Sequence, residues 1–310
     1  MTKAILILGL LFILIGCSTD NNESIPYSSL YEVLINHEYI LEVTPVTQIT
    51  DPITGYYLDN FIIVYRIRYI SDEYEVMGYV VTPYDYMHNK YPILIFNRGG
   101  HNLLGIPSNA VVHEEVGLLA MHGYIVMASQ YRGVLGGTGA DEFGGDDIRD
   151  VLALIDISES FFFAQQGGVF MAGASRGGLM TYIALRKDSR IRAAAVWAAV
   201  ANSFDFYNER LSVQSVLSLL IGGTPDEFPE EYERRSPTLW ANEINTPILI
   251  GHGTNDWIVP YSHSINMATA LERYGNPHKL ILYPGISHAP ILEFLEEADR
   301  WFRLHSISLE

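Results

Sequence analysis

From residue 61 to residue 82 the apolar positions are dense in β-branched and aromatic side chains. Phe61 to Ile70 and Glu75 to Thr82 are rich in Val, Ile and Tyr, and the stretch Ser71-Asp72-Glu73-Tyr74 separates them. That pattern predicts an antiparallel hairpin. Beyond it the spacing changes. Short apolar runs at Pro92–Phe96, Tyr124–Ala128, Gly168–Ala172, Arg192–Ala199, Pro247–Ile250 and Lys279–Tyr283 alternate with longer, helix-compatible stretches. This is the order expected of buried parallel strands joined by crossover helices.

The helix after Gly145 is the clearest. Ile148, Val151, Leu152 and Ile155 follow the i, i+3, i+4, i+7 spacing, with Asp146 and Asp147 at the positive end of the helix dipole. The same reasoning predicts helices over Ala110–Met121, Gly177–Arg186, Ser262–Tyr274 and Ile291–Leu304. Asn202 to Asn242 interrupts the alternation with short helical pieces and the acidic stretch Pro225 to Glu231. It reads as a small insertion over one end of the sheet, its carboxylates solvated. No repeat with a period of roughly 20 to 50 residues is visible, which argues against a propeller or solenoid.

Composition adds size and sign. With 310 residues, 48% apolar and 18% charged, the chain can bury a large core. The formal net charge of -17, from 36 acidic and 19 basic residues, excludes a nucleic-acid partner, because nothing would neutralise the phosphates.

The amino terminus speaks to location. Ala4 to Ile15 is an uncharged run after Lys3 and before Gly16-Cys17, long enough for a signal-peptide core and short of the roughly 20 residues that span a bilayer. Cys17 is the only cysteine, so no intrachain disulfide is possible. Leu14-Ile15-Gly16-Cys17 resembles a bacterial lipobox, although Ile15 is bulkier than the usual residue there. The expectation is a signal peptide over residues 1–16, a lipidated tether over 17–29 beginning at an acylated Cys17, and one domain over 30–310. The protein would then be exported and held on a bacterial membrane by its acyl chains.

Gly173-Ala174-Ser175-Arg176-Gly177-Gly178 follows a strand candidate and opens a helix, the context of a nucleophile elbow. A serine hydroxyl needs a base and an orienting acid. Asp256 follows the strand at Pro247–Ile250 in GHGTND, and His288 follows the strand at Lys279–Tyr283 in PGISH. The chain order Ser, Asp, His is that of α/β-hydrolases, and each residue lies just past a strand's carboxyl end. The expected fold is therefore an α/β-hydrolase: a mostly parallel sheet with an antiparallel amino-terminal hairpin and helices on both faces.

Donors for a developing oxyanion are expected from the amide of Arg176 and from the turn Asn97-Arg98-Gly99-Gly100-His101, chiefly Arg98 and Gly99. His252 reads as a support for the turn before Asp256. His101, His113 and His122 lack metal-ligand spacing, and Gly133 to Gly145 lacks the Gly-Lys-Ser/Thr of a phosphate cradle, so no metal or cofactor is expected. Tyr131, Phe206, Tyr207 and Trp257 are candidates for a substrate pocket.

With these residues placed, about Tyr79 to Leu304 resembles the catalytic domain of the prolyl oligopeptidase family of serine peptidases. The resemblance rests on Arg98-Gly99-Gly100, on Tyr131-Arg132-Gly133 leading into the glycine-rich loop and Asp147, on GASRGG, and most specifically on HGTNDWIVP and YPGISH. It implies a triad of Ser175, Asp256 and His288. Two departures limit it. Ser18 to Tyr79 is too short for the propeller that proline-cleaving members commonly carry, and Arg98 stands near where such members place a tyrosine hydroxyl. A backbone amide or the Arg98 guanidinium would then serve the oxyanion.

The leading expectation is a serine peptidase acting through an acyl-enzyme on a small peptide. An esterase on the same triad is the alternative, and a non-catalytic surface binding lipoprotein the third reading. Oligomeric state is not legible. A histidine base predicts activity that falls as the imidazole protonates below about pH 6.5.

Overall fold

A computed structural model describes residues 27–47, 60–101 and 116–306. The signal peptide, Cys17, most of the tether and the first part of the helix expected over Ala110–Met121 lie outside the described residues. The helix Tyr27–Ile35 takes in the last three residues read as tether.

Nine strands form one sheet: β1 Ile40–Val46, β2 Ile62–Ser71, β3 Tyr74–Pro83, β4 Ile93–Asn97, β5 Ile125–Ser129, β6 Val169–Ala174, β7 Ile191–Trp197, β8 Ile248–Gly253 and β9 His278–Tyr283. Their order is β1-β2-β3-β5-β4-β6-β7-β8-β9. β1, β2, β3 and β5 pair antiparallel in succession, and from β5 to β9 every pairing is parallel. The hairpin pairs Ile62 with Pro83 and ends with Ser71 opposite Tyr74, so Asp72-Glu73 forms the turn. Asp72 there adopts φ 52°.

The parallel strands β4 to β8 are buried almost throughout, which explains their apolar runs, whereas β9 at the sheet edge is only partly covered. Every residue of β4 and β5 is buried. Along β4, Ile93 and Ile95 enter one hydrophobic layer and Leu94 and Phe96 the other, the two-residue alternation of a pleated strand. Helices Ile148–Ser158, Arg176–Lys187 and Ser262–Arg273 supply Val151, Leu179 and Met267 to the first layer. Helix Leu292–Leu304 supplies Phe294, Ala298 and Phe302 to the second. The insertion contains helices Ser203–Glu209, Leu211–Ile221 and Pro229–Arg234 and two short 3-10 turns.

β1 has no counterpart in the sequence reading. It is an edge strand in which only Ile40 and Val43 are buried, with a register shift between Ile40 and Glu42 and Pro45 within it. Proline is tolerated at an edge because no ladder bond is lost.

The chain leaves β4 for β5 on one side and later places β6 on its other side. At such a switch point the loops past the carboxyl ends part and leave a crevice. The loops after β4 and β6 meet there.

Candidate active site

Ser175 occupies the sharp turn between β6 and the helix Arg176–Lys187, with φ 56° and ψ -121°. A non-glycine residue at positive φ is strained, and the packing around it must hold it there. The close approach of strand and helix is visible at its neighbours. A Cβ at Gly177 would run into the carbonyl of Asn97, and one at Gly173 into the carbonyl of Gly177. The turn is tied to β7 by the Ser175 amide, which donates to the carbonyl of Trp197 at 2.8 Å.

Asp256 and His288 are brought together. His288 Nδ1 lies 2.7 Å from Asp256 Oδ2. The other carboxylate oxygen, Oδ1, accepts the amides of Ile258 at 2.8 Å and Val259 at 3.0 Å. Burial alone would raise the Asp256 pKa, but hydrogen bonds from His252 and His288 outweigh it and hold the carboxyl well below the usual range. The two loops are laced together: Thr254 N donates to Tyr283 O at 2.9 Å, Asn255 N to Ile286 O at 2.9 Å, and Gly285 N to Thr254 Oγ1 at 2.9 Å. Trp197 links this pair to the serine turn, since its indole donates to the His288 carbonyl at 2.6 Å. Ser175 Oγ and His288 form no hydrogen bond in this conformation, and such contacts commonly tighten only with substrate present.

His252 does more than support a turn. Its Nε2 lies 3.1 Å from Asp256 Oδ2 and 2.9 Å from the carbonyl of Val259, and its Nδ1 lies 2.7 Å from Ser264 Oγ. Two acceptors at Nε2 require that atom to carry the proton, which leaves Nδ1 to accept from the serine. The aspartate is therefore held by two imidazoles. The four-residue spacing to Asp256 was the available signal.

The oxyanion candidates divide. Arg176 N is the first amide of its helix, at the positive end of the dipole. Gly99 lies beside the serine turn, where an added Cβ would stand 3.3 Å from Ser175 Cβ. The Arg98 guanidinium is corrected out of the role. Arg98 is 2% exposed, its Nη1 donates to Gly99 O at 2.9 Å and its Nη2 to Gln130 O at 2.8 Å, so it points into the protein. Burial pushes its pKa down to about 10.

Beneath the turn, Arg176 Nη1 meets Asp141 Oδ2 at 2.7 Å and Nη2 meets Asp147 Oδ2 at 2.6 Å. Its guanidinium carbon lies 4.4 Å from the centre of the Tyr131 ring. A buried arginine inside the elbow demands counter-charges, and that demand was the signal for the two aspartates.

Two pocket candidates are corrected as well. Tyr131 is fully buried under Arg98 and Arg176, and Phe206 is buried against His263. Tyr207 is half-buried, edge-on to Tyr232. Trp257, next to Asp256, is 69% exposed, with the Arg210 guanidinium 5.9 Å from its ring. Two clefts, of about 390 Å³ lined by Ile93, Val169 and Arg190 and about 620 Å³ lined by His37, Asp72 and Arg149, lie elsewhere. Neither includes Ser175, Asp256 or His288. Among the described residues there is no cluster with the make-up of a metal site, and no helix is long and apolar enough to cross a membrane.

Sheet order, serine turn and the strand-end acid and base define a serine hydrolase of the α/β-hydrolase type. Residues 110–303 match the prolyl oligopeptidase family, and the chain belongs to that family of serine peptidases. Uncharacterized peptidase YtmA of Bacillus subtilis is 28% identical over 225 residues, covering 72% of this chain and 85% of that protein. Dipeptidyl-peptidase 5 of Porphyromonas gingivalis is 28% identical over 237 residues, covering 70% of this chain but 33% of that protein. Among solved structures, the acylaminoacyl peptidase of Pyrococcus horikoshii superposes with a TM-score of 0.67 at 19% identity, covering 81% of this chain and 43% of that one, a likeness of fold.

Proposed function

We propose that Ser175, His288 and Asp256 act as a catalytic triad that cleaves small peptides through an acyl-enzyme. The observation that carries this reading is the 2.7 Å contact between His288 Nδ1 and Asp256 Oδ2, at the same sheet end as a serine held at positive φ. With Nδ1–H donated to Asp256, the lone pair of Nε2 is available to a serine proton. Ser175 Oγ attacks the carbonyl as His288 takes its proton, and the negative oxygen is received by the amides of Arg176 and Gly99. The imidazolium returns its proton to the leaving amine, and water, activated by the same histidine, releases the acid.

Family membership and the peptidases among its relatives favour a peptide over an ester. The exposed Trp257 beside Asp256 offers an apolar surface to a short peptide. The lipobox-like Leu14-Ile15-Gly16-Cys17 supports a bacterial membrane anchor through Cys17, with the catalytic domain in water on the exported side.

The triad is tested with a fluorophosphonate probe. The native chain should be labelled and Ser175→Ala should not; undiminished labelling of the variant rejects the serine assignment. The substrate class is tested by comparing aminoacyl anilides with acetyl and feruloyl esters, and turnover confined to the esters rejects the peptidase reading.

A further inference from the structure

We infer that Tyr131, with the guanidinium of Arg98, is a positioning device for the oxyanion site: it draws the carbonyls of the Asn97–His101 loop inward so that the Gly99 amide faces Ser175. The inference rests on Ser175 being the nucleophile.

Three successive carbonyls of this loop are held from beneath. The Arg98 carbonyl accepts from the Tyr131 hydroxyl at 3.0 Å, the Gly99 carbonyl from Arg98 Nη1 at 2.9 Å, and the Gly100 carbonyl from Arg176 Nη1 at 3.2 Å. All three donor side chains are 2% exposed or less. The intervening peptides are trans, and in a trans peptide the carbonyl and the following N–H point in opposite directions. Drawing the Arg98 carbonyl toward Tyr131 therefore turns the Gly99 N–H the other way. That amide has no acceptor among the described residues, while a Cβ added to Gly99 would stand 3.3 Å from Ser175 Cβ. A donor that the protein leaves unpaired beside a nucleophile is suited to a charge that appears only during reaction.

Tyr131 is itself forced into place. Its φ is 63°, its amide donates to Ser129 Oγ at 2.9 Å, and its ring lies under Arg98 and Arg176 at 4.9 Å and 4.4 Å. The ring is packed by the cations, and the hydroxyl alone reaches the loop backbone. Removing the hydroxyl separates these two roles.

Tyr131→Phe in the full chain should lower kcat on an aminoacyl anilide about 10- to 100-fold, with KM changed less than about twofold. Affinity for a peptidyl trifluoromethyl ketone, which forms a tetrahedral adduct with the serine, should fall by the same factor. Tyr86→Phe is the matched control. It deletes a buried hydroxyl that accepts the Leu30 amide at 2.8 Å, far from this loop, and should leave kcat within about twofold. A Tyr131→Phe enzyme with native kcat, or with a change in KM alone, overturns the inference. Should that variant not fold, Arg98→Lys is measured instead: lowered kcat with a weakened ketone adduct supports the device, and native values overturn it. Failure of the underlying triad would show separately, as probe labelling that survives Ser175→Ala.

Discussion

Arg176 and Arg132 are two buried arginines with nearly the same surroundings and different work. Each has a side chain no more than 3% exposed, a carboxylate oxygen within 2.7 Å, and a tyrosine ring 4.4 Å from its guanidinium carbon, Tyr131 for one and Tyr74 for the other. They differ in what they fasten. Arg132 binds Asp150 on the helix Ile148–Ser158 and reaches Asp72 in the β2–β3 turn at 3.3 Å, so it ties the antiparallel hairpin to the parallel sheet. Arg176 follows Ser175 and reaches a carbonyl of the loop after β4. The same bonding pattern holds the frame in one place and shapes a reacting surface in the other.

Matched substitutions test that division. Arg132→Met and Arg176→Met each strand buried carboxylates, and each should lower folding stability by about 3–5 kcal/mol in chemical denaturation. Their kinetics should then part. Corrected for the folded fraction, Arg176→Met should lose at least about tenfold in kcat, and Arg132→Met should keep it within about threefold. Equal losses of kcat would erase the distinction.

A smaller effect sharpens the contrast with a buried base that lacks such a grip. His263 is 2% exposed; Glu209, 3.4 Å away, is partly in solvent, and the more distant Asp256 raises its pKa only in part. Burial, with some repulsion from His252, pushes its pKa down to about 4. The folded value lies below the unfolded value of about 6.5, so the unfolded chain binds the extra proton in that window and stability falls as pH drops from about 6.5 to about 4. The loss amounts to about 3 kcal/mol. Denaturation midpoints compared at pH 7.5 and pH 4.5 should lie closer together in His263→Gln than in the native chain; an unchanged gap would show that other groups carry the acid sensitivity.

Legibility in the sequence followed how local each signal was. β2 to β9 were readable because an apolar run between turn residues depends on a few neighbours. Ser175, Asp256 and His288 were readable because each follows such a strand. β1 was not, since its irregular burial pattern and Pro45 suit an edge and mimic a loop. Tyr131 and Phe206 were misplaced because an aromatic ring between glycines or within a helical insertion looks alike whether it lines a mouth or fills an interior. Asp147 is an example of two roles at one position. It stands at the start of its helix, as the dipole argument expects, but its carboxylate is taken by the amides of Glu142 and Gly144 and by Arg176 from 29 residues away. Only the folded chain brings that partner near.

The lacing between the loops after β8 and β9 has a mechanical consequence. Asp256 and His288 sit on loops that share backbone ties, so a change that loosens one loop is felt at both residues. Ser175 sits outside this lacing, in the β6 turn, and is joined to it through Trp197 alone of the contacts described above. The indole is therefore the strut across which the imidazole and the hydroxyl are spaced.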